Sequence, residues 1–283
     1  MCSKDQSYRV GNGRSGVLLV HGLAGSPVEL RFIANGLARE GYKVYCPELA
    51  GHGSNAADLG ASTWQDWYNS AEAALNEMTA ECDTVIVGGL STGAILALLL
   101  AANEPDKVAG LALYSPVLWL NGWRIPWYAR LFPLVRHKAV ADLFRFPAPN
   151  NFGIKDARLQ DFLKKAMAGS GLGGGQVVTP GGAVLERTWL VNATRRALHK
   201  ITQPVLIMHP REDDYAGLDN ATYLEAKLSG PVELVVLDDS YHLVTVDRQR
   251  GLVLDRTVAF AKGIFSRFRE QIQGGEAPAA VAA

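Results

Sequence analysis

The residues Gly89-Leu90-Ser91-Thr92-Gly93 carry the clearest chemical signal in this chain. An apolar run, residues 85–87, leads into them, and an apolar helical pattern follows. A serine on such a tight strand-to-helix turn projects from the carboxyl end of the strand, and the flanking glycines let strand and helix pass closely. The pattern therefore predicts that Ser91 is a nucleophile, and the alternative is an ordinary helix N-cap at this position.

A serine nucleophile needs a general base, because its hydroxyl is protonated at neutral pH. His242 fits this role, since it follows the apolar run Val232 to Leu237 and precedes the last helical pattern, late in the chain. His209 ends a strand, where a side chain tends to point into the packed layer. His137 and His199 fall in or beside an inserted region and are interpreted as solvated.

A carboxylate should orient the histidine and stabilise its imidazolium. Three candidates follow the apolar run Val205 to His209: Glu212, Asp213 and Asp214. Asp213 is favoured because its distance from the strand end suits such a loop, and Asp214 is the alternative. Asp238 and Asp239 lie so close to the base in sequence that we expect them to cap or solvate its loop.

Two backbone N–H groups are predicted to stabilise an oxyanion, those of Leu23 and Thr92. Thr92 directly follows the nucleophile at a helix N-terminus, and Leu23 lies in a turn where Gly22 and Gly25 allow close approach of the backbone. Such a fixed donor is worth roughly 3 kcal/mol in the transition state. His21 is interpreted as structural, holding this turn by a hydrogen bond.

Short β-rich apolar runs alternate with helical patterns through most of the chain, which predicts an α/β fold with a mostly parallel, twisted sheet flanked by helices. Strands are predicted at Ser7–Val10, Val17–His21, Lys43–Pro47, Thr84–Gly88, Val108–Tyr114, Val205–His209 and Val232–Leu237. Helices are predicted at Pro27–Glu40, Thr63–Ala80, Ser91–Ala102, Leu218–Leu228 and Asp247–Gln271.

The alternation stops between residues 117 and 185, where prolines and glycines interrupt the pattern. This predicts a cap inserted between core segments 1–116 and 186–273, with a helix at Asp156–Ala168, a flexible glycine-rich segment at 169–182 and a disordered tail at 274–283. An aromatic cluster opens the cap and is predicted to line an apolar substrate pocket: Trp119, Trp123, Trp127 and Tyr128. The alternative is that these rings only pack the cap onto the core.

Composition excludes several function classes. The 28 basic and 28 acidic residues give a formal net charge of zero, so no nucleic-acid partner or anionic surface is expected. Cys2, Cys46 and Cys82 lack disulfide or zinc spacing and are predicted to be free thiols. Since the sequence shows neither a signal peptide nor a membrane-spanning run, we expect a cytoplasmic protein without a stable membrane anchor.

Together these motifs resemble the α/β-hydrolase family, in particular bacterial carboxylesterases and monoacylglycerol lipases. The similarity rests on the segments HGLAGSPVEL, PELAGHGS, TWQDW and GLSTG. It implies a Ser91, Asp213 and His242 triad with Leu23 and Thr92 as oxyanion donors. No metal and no organic cofactor is expected. Two features depart from the family, namely Ala94 where a second glycine is common, and a cap longer than the minimal one.

The resulting expectation is a serine esterase that forms an acyl-enzyme and acts on a small-molecule ester with an apolar acyl chain. A thioesterase, an amidase or a carbon–carbon bond hydrolase would use the same triad. A ligand receptor with this fold, and a lipase whose cap tryptophans enter a membrane interface, are further alternatives. The acyl chain length, the leaving group and the oligomeric state do not follow from the sequence.

Overall fold

The computed structural model describes residues 5–53, 55–125, 127–147, 151–169 and 178–273. The predicted tail at 274–283 and most of the predicted flexible segment at 169–182 lie outside these residues. The side chains of Trp127 and Tyr128 also lie outside the described part, so their predicted place in a pocket remains a prediction.

A seven-stranded sheet forms the centre of the fold, in the order β1-β3-β2-β4-β5-β8-β9. The strands are β1 (Tyr8–Val10), β2 (Ser15–Val20), β3 (Lys43–Cys46), β4 (Thr84–Leu90), β5 (Gly110–Tyr114), β6 (Arg145–Pro147), β7 (Val178–Pro180), β8 (Val205–Pro210) and β9 (Val232–Leu237). Strand β1 pairs antiparallel with β3, and the other pairs of this sheet are parallel. Strands β6 and β7 form a separate antiparallel pair.

The helices are α1 (Arg31–Arg39), α2 (Ala56–Ala61), α3 (Trp64–Glu81), α4 (Thr92–Asn103), α5 (Lys138–Ala141), α6 (Ala157–Gly169), α7 (Gly181–Ala197), α8 (Asp219–Lys227) and α9 (Arg250–Gln273). Short 3₁₀ segments occupy Pro27–Leu30, Pro105–Lys107, Trp127–Leu134 and Leu198–Lys200. Within the described residues no helix is both long and apolar enough to cross a membrane.

The sheet separates two hydrophobic layers, because successive side chains of a strand point to opposite faces. In β2, Val17 and Leu19 join the layer that contains residues of α1 and α9, whereas Leu18 and Val20 join the layer built with α3, α4 and α7. Helix α4 is buried at every position from Thr92 to residue 102. It therefore fixes the residue at its N-terminus, since the core holds it on all sides.

The sequence-based expectations agree with these elements to within a few residues for the seven strands of the main sheet and for six helices, including α6. Helices α2, α5 and α7 were not expected. Helix α7 begins with Gly181 and Gly182, which the sequence analysis placed in a flexible glycine-rich segment. The structure gives another reason for the first glycine, since a Cβ there would lie 2.0 Å from the carbonyl oxygen of Ala141. This glycine lets α7 pack closely on α5.

The predicted cap, residues 117–185, lies within the longer segment that joins β5 to β8. It contains α5, β6, α6, β7 and the start of α7. The predicted boundary at residue 185 falls inside α7, and Leu190 and Val191 of that helix belong to the same buried cluster as α4. The division into cap and core therefore remains a proposal, with α7 reaching from one into the other.

Candidate active site

Ser91 lies between β4 and α4 with φ 58° and ψ −114°. A non-glycine residue in this left-handed region carries backbone strain, which persists only where the surrounding structure enforces it. A Cβ on Gly89 would lie 2.3 Å from the backbone of Gly93, and one on Gly93 would lie 2.1 Å from the carbonyl oxygen of Val20. The expectation that both flanking positions must be small is confirmed, and Ala94 lies on the buried helix α4.

The turn after β2 lies directly against the serine. A Cβ on Gly22 would be 3.3 Å from the Cβ of Ser91, and the turn is closed by the hydrogen bond from Gly25 N–H to the Gly22 carbonyl at 3.1 Å. Among the residues described, neither Leu23 nor Thr92 donates a hydrogen bond from its backbone N–H. Both donors are thus available beside the serine, and their role as an oxyanion hole remains a proposal.

His21 holds this turn in place and has no free nitrogen for proton transfer. Its Nδ1 donates to the Gly22 carbonyl at 2.9 Å, and its Nε2 accepts from the Leu49 N–H at 3.1 Å. Burial, together with the nearby ring of His52, lowers the pKa of His21 to about 3. The ring is therefore neutral, as the structural interpretation of this histidine requires.

The loop after β9 brings His242 to Asp213 in the loop after β8. The Nδ1 of His242 lies 2.8 Å from Oδ2 of Asp213 and 3.1 Å from its Oδ1. The carboxylate is itself held, because its Oδ1 accepts the backbone N–H groups of Tyr215 and Ala216 at 2.8 Å and 2.9 Å. All these groups are buried or nearly so, which strengthens a charge-assisted hydrogen bond.

Asp214 supports the same histidine from another side. Its Oδ1 accepts the backbone N–H of His242 at 3.3 Å, and its Oδ2 accepts the amide of Asn151 at 2.9 Å. The geometry thus separates the two acids that the sequence left open, since only Asp213 contacts the imidazole ring. Asn151 lies in the inserted segment and had no recognisable signal in the sequence.

Ser115 fixes the backbone of the histidine loop from the end of β5. It is fully buried, has φ 44°, and its hydroxyl donates to the His242 carbonyl at 2.8 Å. The preceding Tyr114 accepts the Ser91 N–H at 2.9 Å through its carbonyl. Two consecutive residues therefore hold both Ser91 and His242 at one edge of the sheet. In the described part of the chain, no hydrogen bond joins the side chains of these two residues.

Burial and charge have opposite effects on the pKa values of Asp213 and His242. Burial alone would raise the pKa of Asp213, but the charge and hydrogen bond of His242 outweigh it and the carboxyl pKa is lowered. For His242 burial favours the neutral ring, yet the carboxylates of Asp213 and Asp214 and the carboxyl of Glu29 raise its pKa. Burial raises the pKa of Asp214. The site therefore keeps one ionised carboxylate on the ring that would accept a proton.

The remaining candidates make other contacts. The strand-end His209 is fully buried and its Nε2 donates to the Ala216 carbonyl at 2.9 Å, as expected for a ring in the packed layer. Glu212 pairs with Lys155, and Asp238 pairs with Arg211. Asp239 pairs with Lys155 and Arg248, so neither Asp238 nor Asp239 contacts the imidazole ring.

The aromatic residues that open the cap differ in position. Trp119 is half-buried, and its ring contacts Tyr223 edge-on at 4.9 Å between ring centres. Trp123 is 57% exposed, donates from Nε1 to the Glu212 carbonyl at 3.0 Å and contacts the ring of Tyr241. These contacts hold the cap to the core, and whether either ring also lines a substrate pocket stays a proposal.

Glu29 is a site residue that the sequence analysis did not identify. It lies in the 3₁₀ segment directly after the turn that presents Leu23, and its Oε2 is buried without a hydrogen-bond partner in the described chain. In the sequence Glu29 lies four residues after Gly25, and no general rule associates a carboxylate at this spacing with serine-hydrolase chemistry. No group of three or more His, Cys, Asp or Glu residues within the described ranges is arranged to hold a metal ion.

Comparisons with known proteins agree with this architecture. Residues 11–249 match the family described as serine aminopeptidase, S33. The chain is 30% identical over 250 residues to a thermostable monoacylglycerol lipase of Bacillus sp. strain H-257, covering 88% of this chain and 91% of that protein. It is 21% identical over 243 residues to a carboxylesterase of Bacillus subtilis strain 168, covering 85% and 89%.

Solved structures give the same result. A structure reported for the metagenome-derived lipolytic enzymes LipS and LipT superposes with a TM-score of 0.76 at 29% identity, covering 91% of this chain and 97% of the other. A soluble variant of monoglyceride lipase from Saccharomyces cerevisiae, in complex with a substrate analog, superposes with a TM-score of 0.75 at 16% identity, covering 91% and 90%. The second likeness concerns the fold alone.

Proposed function

This chain belongs to the serine aminopeptidase S33 family with the α/β-hydrolase fold and is a carboxylic ester hydrolase, and we propose that Ser91, His242 and Asp213 form its catalytic triad. The observation that carries the proposal is the 2.8 Å contact between His242 Nδ1 and Asp213 Oδ2 at the sheet edge that also presents the strained Ser91. The nucleophile, the base and the acid of a serine hydrolase are then each supplied by one residue.

The hydrogen bond to Asp213 determines which nitrogen of His242 acts as base. The Asp213 carboxylate accepts a hydrogen bond from Nδ1–H, so the neutral ring carries its lone pair on Nε2. That nitrogen takes the proton of Ser91 as the serine oxygen attacks the ester carbonyl. Asp213 then stabilises the imidazolium, in agreement with the raised pKa of His242. Catalytic hydrogen bonds are often long before substrate binds. We therefore expect the hydrogen bond between the Ser91 hydroxyl and His242 Nε2 to form in the substrate complex.

The negative oxygen of the tetrahedral intermediate would be held by the backbone N–H groups of Leu23 and Thr92. Both belong to rigid elements, one to the closed turn beside Gly22 and the other to the buried helix α4. Their dipoles need no reorganisation during the reaction, which is the source of their effect. The imidazolium next protonates the leaving alcohol. Water then attacks the acyl-enzyme, with His242 again acting as the base and the Ser91 oxygen as the leaving group.

The substrate we propose is a small ester with an apolar acyl chain. The named relatives are a monoacylglycerol lipase and a carboxylesterase, which supports esters over other acyl compounds. The proposed pocket lies between the core and the segment 117–185, with the aromatic cluster of the cap as its wall. We further propose a cytoplasmic location and a role without a stable membrane anchor.

Hydrolysis of a p-nitrophenyl ester series from acetate to palmitate, beside one matched thioester and one matched anilide, tests this function. We expect the esters to be hydrolysed fastest, with an optimum chain length that measures the apolar pocket. Faster turnover of the thioester or the anilide would assign the same triad to a different reaction. Binding of esters without any turnover would instead support the ligand-receptor alternative.

A further inference from the structure

Asp247 is a buried carboxylate that no catalytic step uses. It lies at the end of the loop between β9 and α9 and is 2% exposed. Its Oδ2 accepts the backbone N–H groups of Tyr241 and Lys155, each at 2.8 Å, and its Oδ1 accepts that of Asp156 at 3.0 Å. These donors compensate for the burial of the carboxylate. Tyr241 precedes the proposed base, and the other two donors belong to residues 151–156 of the predicted cap, called the cap segment. Asp247 therefore joins the histidine loop to the cap segment.

The next two N–H groups of the histidine loop are tied to the same part of the cap. The Leu243 N–H donates directly to the Gly153 carbonyl at 2.8 Å. The His242 N–H donates to Oδ1 of Asp214 at 3.3 Å, and Oδ2 of that carboxylate accepts the side-chain amide of Asn151 at 2.9 Å. Three consecutive N–H groups centred on the base are therefore held by the cap segment, one of them directly and the other two each through one carboxylate.

Gly153 lets the cap segment lie directly against the base. Its φ is 70°, which glycine adopts without strain. A Cβ at this position would lie 3.2 Å from the Cβ of His242 and 3.4 Å from the ring of Tyr215. The preceding Phe152 has φ 55°, and a non-glycine residue keeps this conformation only where its surroundings enforce it. The hydrogen bonds and this close packing together specify the position of the cap segment beside the imidazole.

We propose that Asp247 is a positioning residue that uses the cap segment to hold His242 in place for catalysis. The inference rests on the proposed function, since it needs His242 to act as the general base. Among the described residues, Asp247 makes no hydrogen bond to Ser91 or to the imidazole ring, so it acts on the reaction through the position of the histidine loop. A base displaced by about 1 Å can slow a reaction roughly 10²-fold, while the groups that bind substrate stay unchanged.

Steady-state kinetics of Asp247→Ala on the p-nitrophenyl ester that the wild type prefers test the proposal. Alanine removes both carboxylate oxygens, so we expect kcat to fall roughly 10²-fold while KM stays within about twofold. Asp247→Asn keeps one oxygen that can still join Tyr241 to Lys155, and it should restore a large part of kcat. The control Asp238→Ala removes an exposed carboxylate from the same loop, where it pairs with Arg211, and should keep the wild-type kcat.

A change on the cap side tests the same connection without altering the histidine loop. Gly153→Ala places a Cβ against His242, and we expect kcat of the folded protein to fall about tenfold. Gly41→Ala is the matched control, because Gly41 has φ 89° and a Cβ there meets nothing within 4 Å. Both variants carry the cost of an alanine in the left-handed region, so only the contact with His242 distinguishes them. If Asp247→Ala fails to fold, Gly153→Ala still decides the result, together with the kcat of Asp247→Asn.

Hydrogen exchange measured by mass spectrometry shows whether the two regions are linked. Asp247→Ala leaves three amides of the histidine loop and the cap segment without their acceptor, so exchange in peptides from both regions should quicken about tenfold. In Asp238→Ala, exchange in the cap segment should stay at the wild-type rate. A purely structural role would instead lower the unfolding temperature of Asp247→Ala without changing kcat of the folded protein.

Three results would overturn the inference while leaving the esterase in place. They are a folded Asp247→Ala with the wild-type kcat, a raised KM at unchanged kcat, and faster exchange confined to the histidine loop. Failure of the wild type to hydrolyse any p-nitrophenyl ester would contradict the proposed function itself.

Discussion

The hydroxyl of Ser115 donates a hydrogen bond to the backbone carbonyl of His242 at 2.8 Å, across 127 residues of sequence. Tyr114, its neighbour in the chain, holds the N–H of Ser91. The end of strand β5 therefore positions both the proposed nucleophile and its base. The backbone of His242 is thus held in place independently of the contacts of its imidazole ring.

Replacing Ser115 by alanine should loosen the histidine loop. The change removes one of two donors to the buried His242 carbonyl, which also accepts the Val244 N–H at 2.9 Å, and costs about 1 kcal/mol in the free energy of unfolding. We expect kcat to fall several-fold while KM changes little, because the base rather than the substrate site is displaced. Urea unfolding and steady-state kinetics measure both effects. An unchanged kcat in a destabilised variant would show that the bond serves the fold alone.

The two neighbouring acids should differ sharply when each is replaced by asparagine. Asp213→Asn removes the carboxylate from the imidazole ring and should lower kcat by about 10³ to 10⁴, as expected for a triad acid. Asp214→Asn touches only the backbone of His242 and the amide of Asn151, so its loss of kcat should be much smaller. Kinetics of both purified variants on one ester decides between them. The reverse order of effects would assign the triad acid to Asp214.

The glycine after the nucleophile should not accept a methyl group. A Cβ on Gly93 would lie 2.1 Å from the carbonyl oxygen of Val20 and 2.5 Å from that of His21, both of them backbone atoms that cannot turn away. We expect Gly93→Ala to destabilise the protein by roughly 3 kcal/mol or to prevent folding. Gly251→Ala is the control, because a Cβ there meets nothing within 4 Å. Similar unfolding curves for the two variants would contradict the geometry of the elbow.

Removing the charge of Glu29 should stabilise the protein in a pH-dependent way. Burial raises the pKa of Glu29 in the folded protein to about 7 from its ordinary value of 4.5, so the wild type loses stability as pH rises between these two values, because the unfolded chain ionises first. Relative to wild type, Glu29→Gln should therefore gain on the order of 2 kcal/mol at pH 8 and little at pH 4.5. Thermal unfolding at the two pH values measures this. An equal effect at both would show that the carboxyl is not kept neutral by burial.

Much of the site could be predicted from the sequence because each residue follows an apolar run. Ser91 directly follows β4, Asp213 and His242 lie in the loops after β8 and β9, and the carboxyl ends of parallel strands meet at one edge of the sheet. The turn glycines were recognisable for the same reason, since a tight approach of two backbones excludes a side chain. The sequence favoured Asp213 and kept Asp214 as the alternative, and the contacts of the two acids differ, since only Asp213 lies against the imidazole ring.

The supporting residues could not be predicted, because their partners are distant in the chain. Asn151 reaches Asp214 across 63 residues, and Ser115 reaches His242 across 127. Their local sequences resemble ordinary loops, so no periodicity or motif marks them. Helix α7 was missed for another reason, since its first two residues are glycines, which local propensity assigns to a loop. Packing on α4 and α5 overrides that propensity.

The measurement that tests the central claim most directly is labelling with a fluorophosphonate, followed by mass spectrometry of the peptides and by assay of a p-nitrophenyl ester. The account predicts one adduct on Ser91 in the wild type, with loss of esterase activity in proportion to labelling, and neither adduct nor turnover in Ser91→Ala. Ser229→Ala, which changes an exposed hydroxyl that donates to the His199 carbonyl, serves as the control and should behave as wild type. An adduct on another residue, or undiminished turnover by folded Ser91→Ala, would contradict the account.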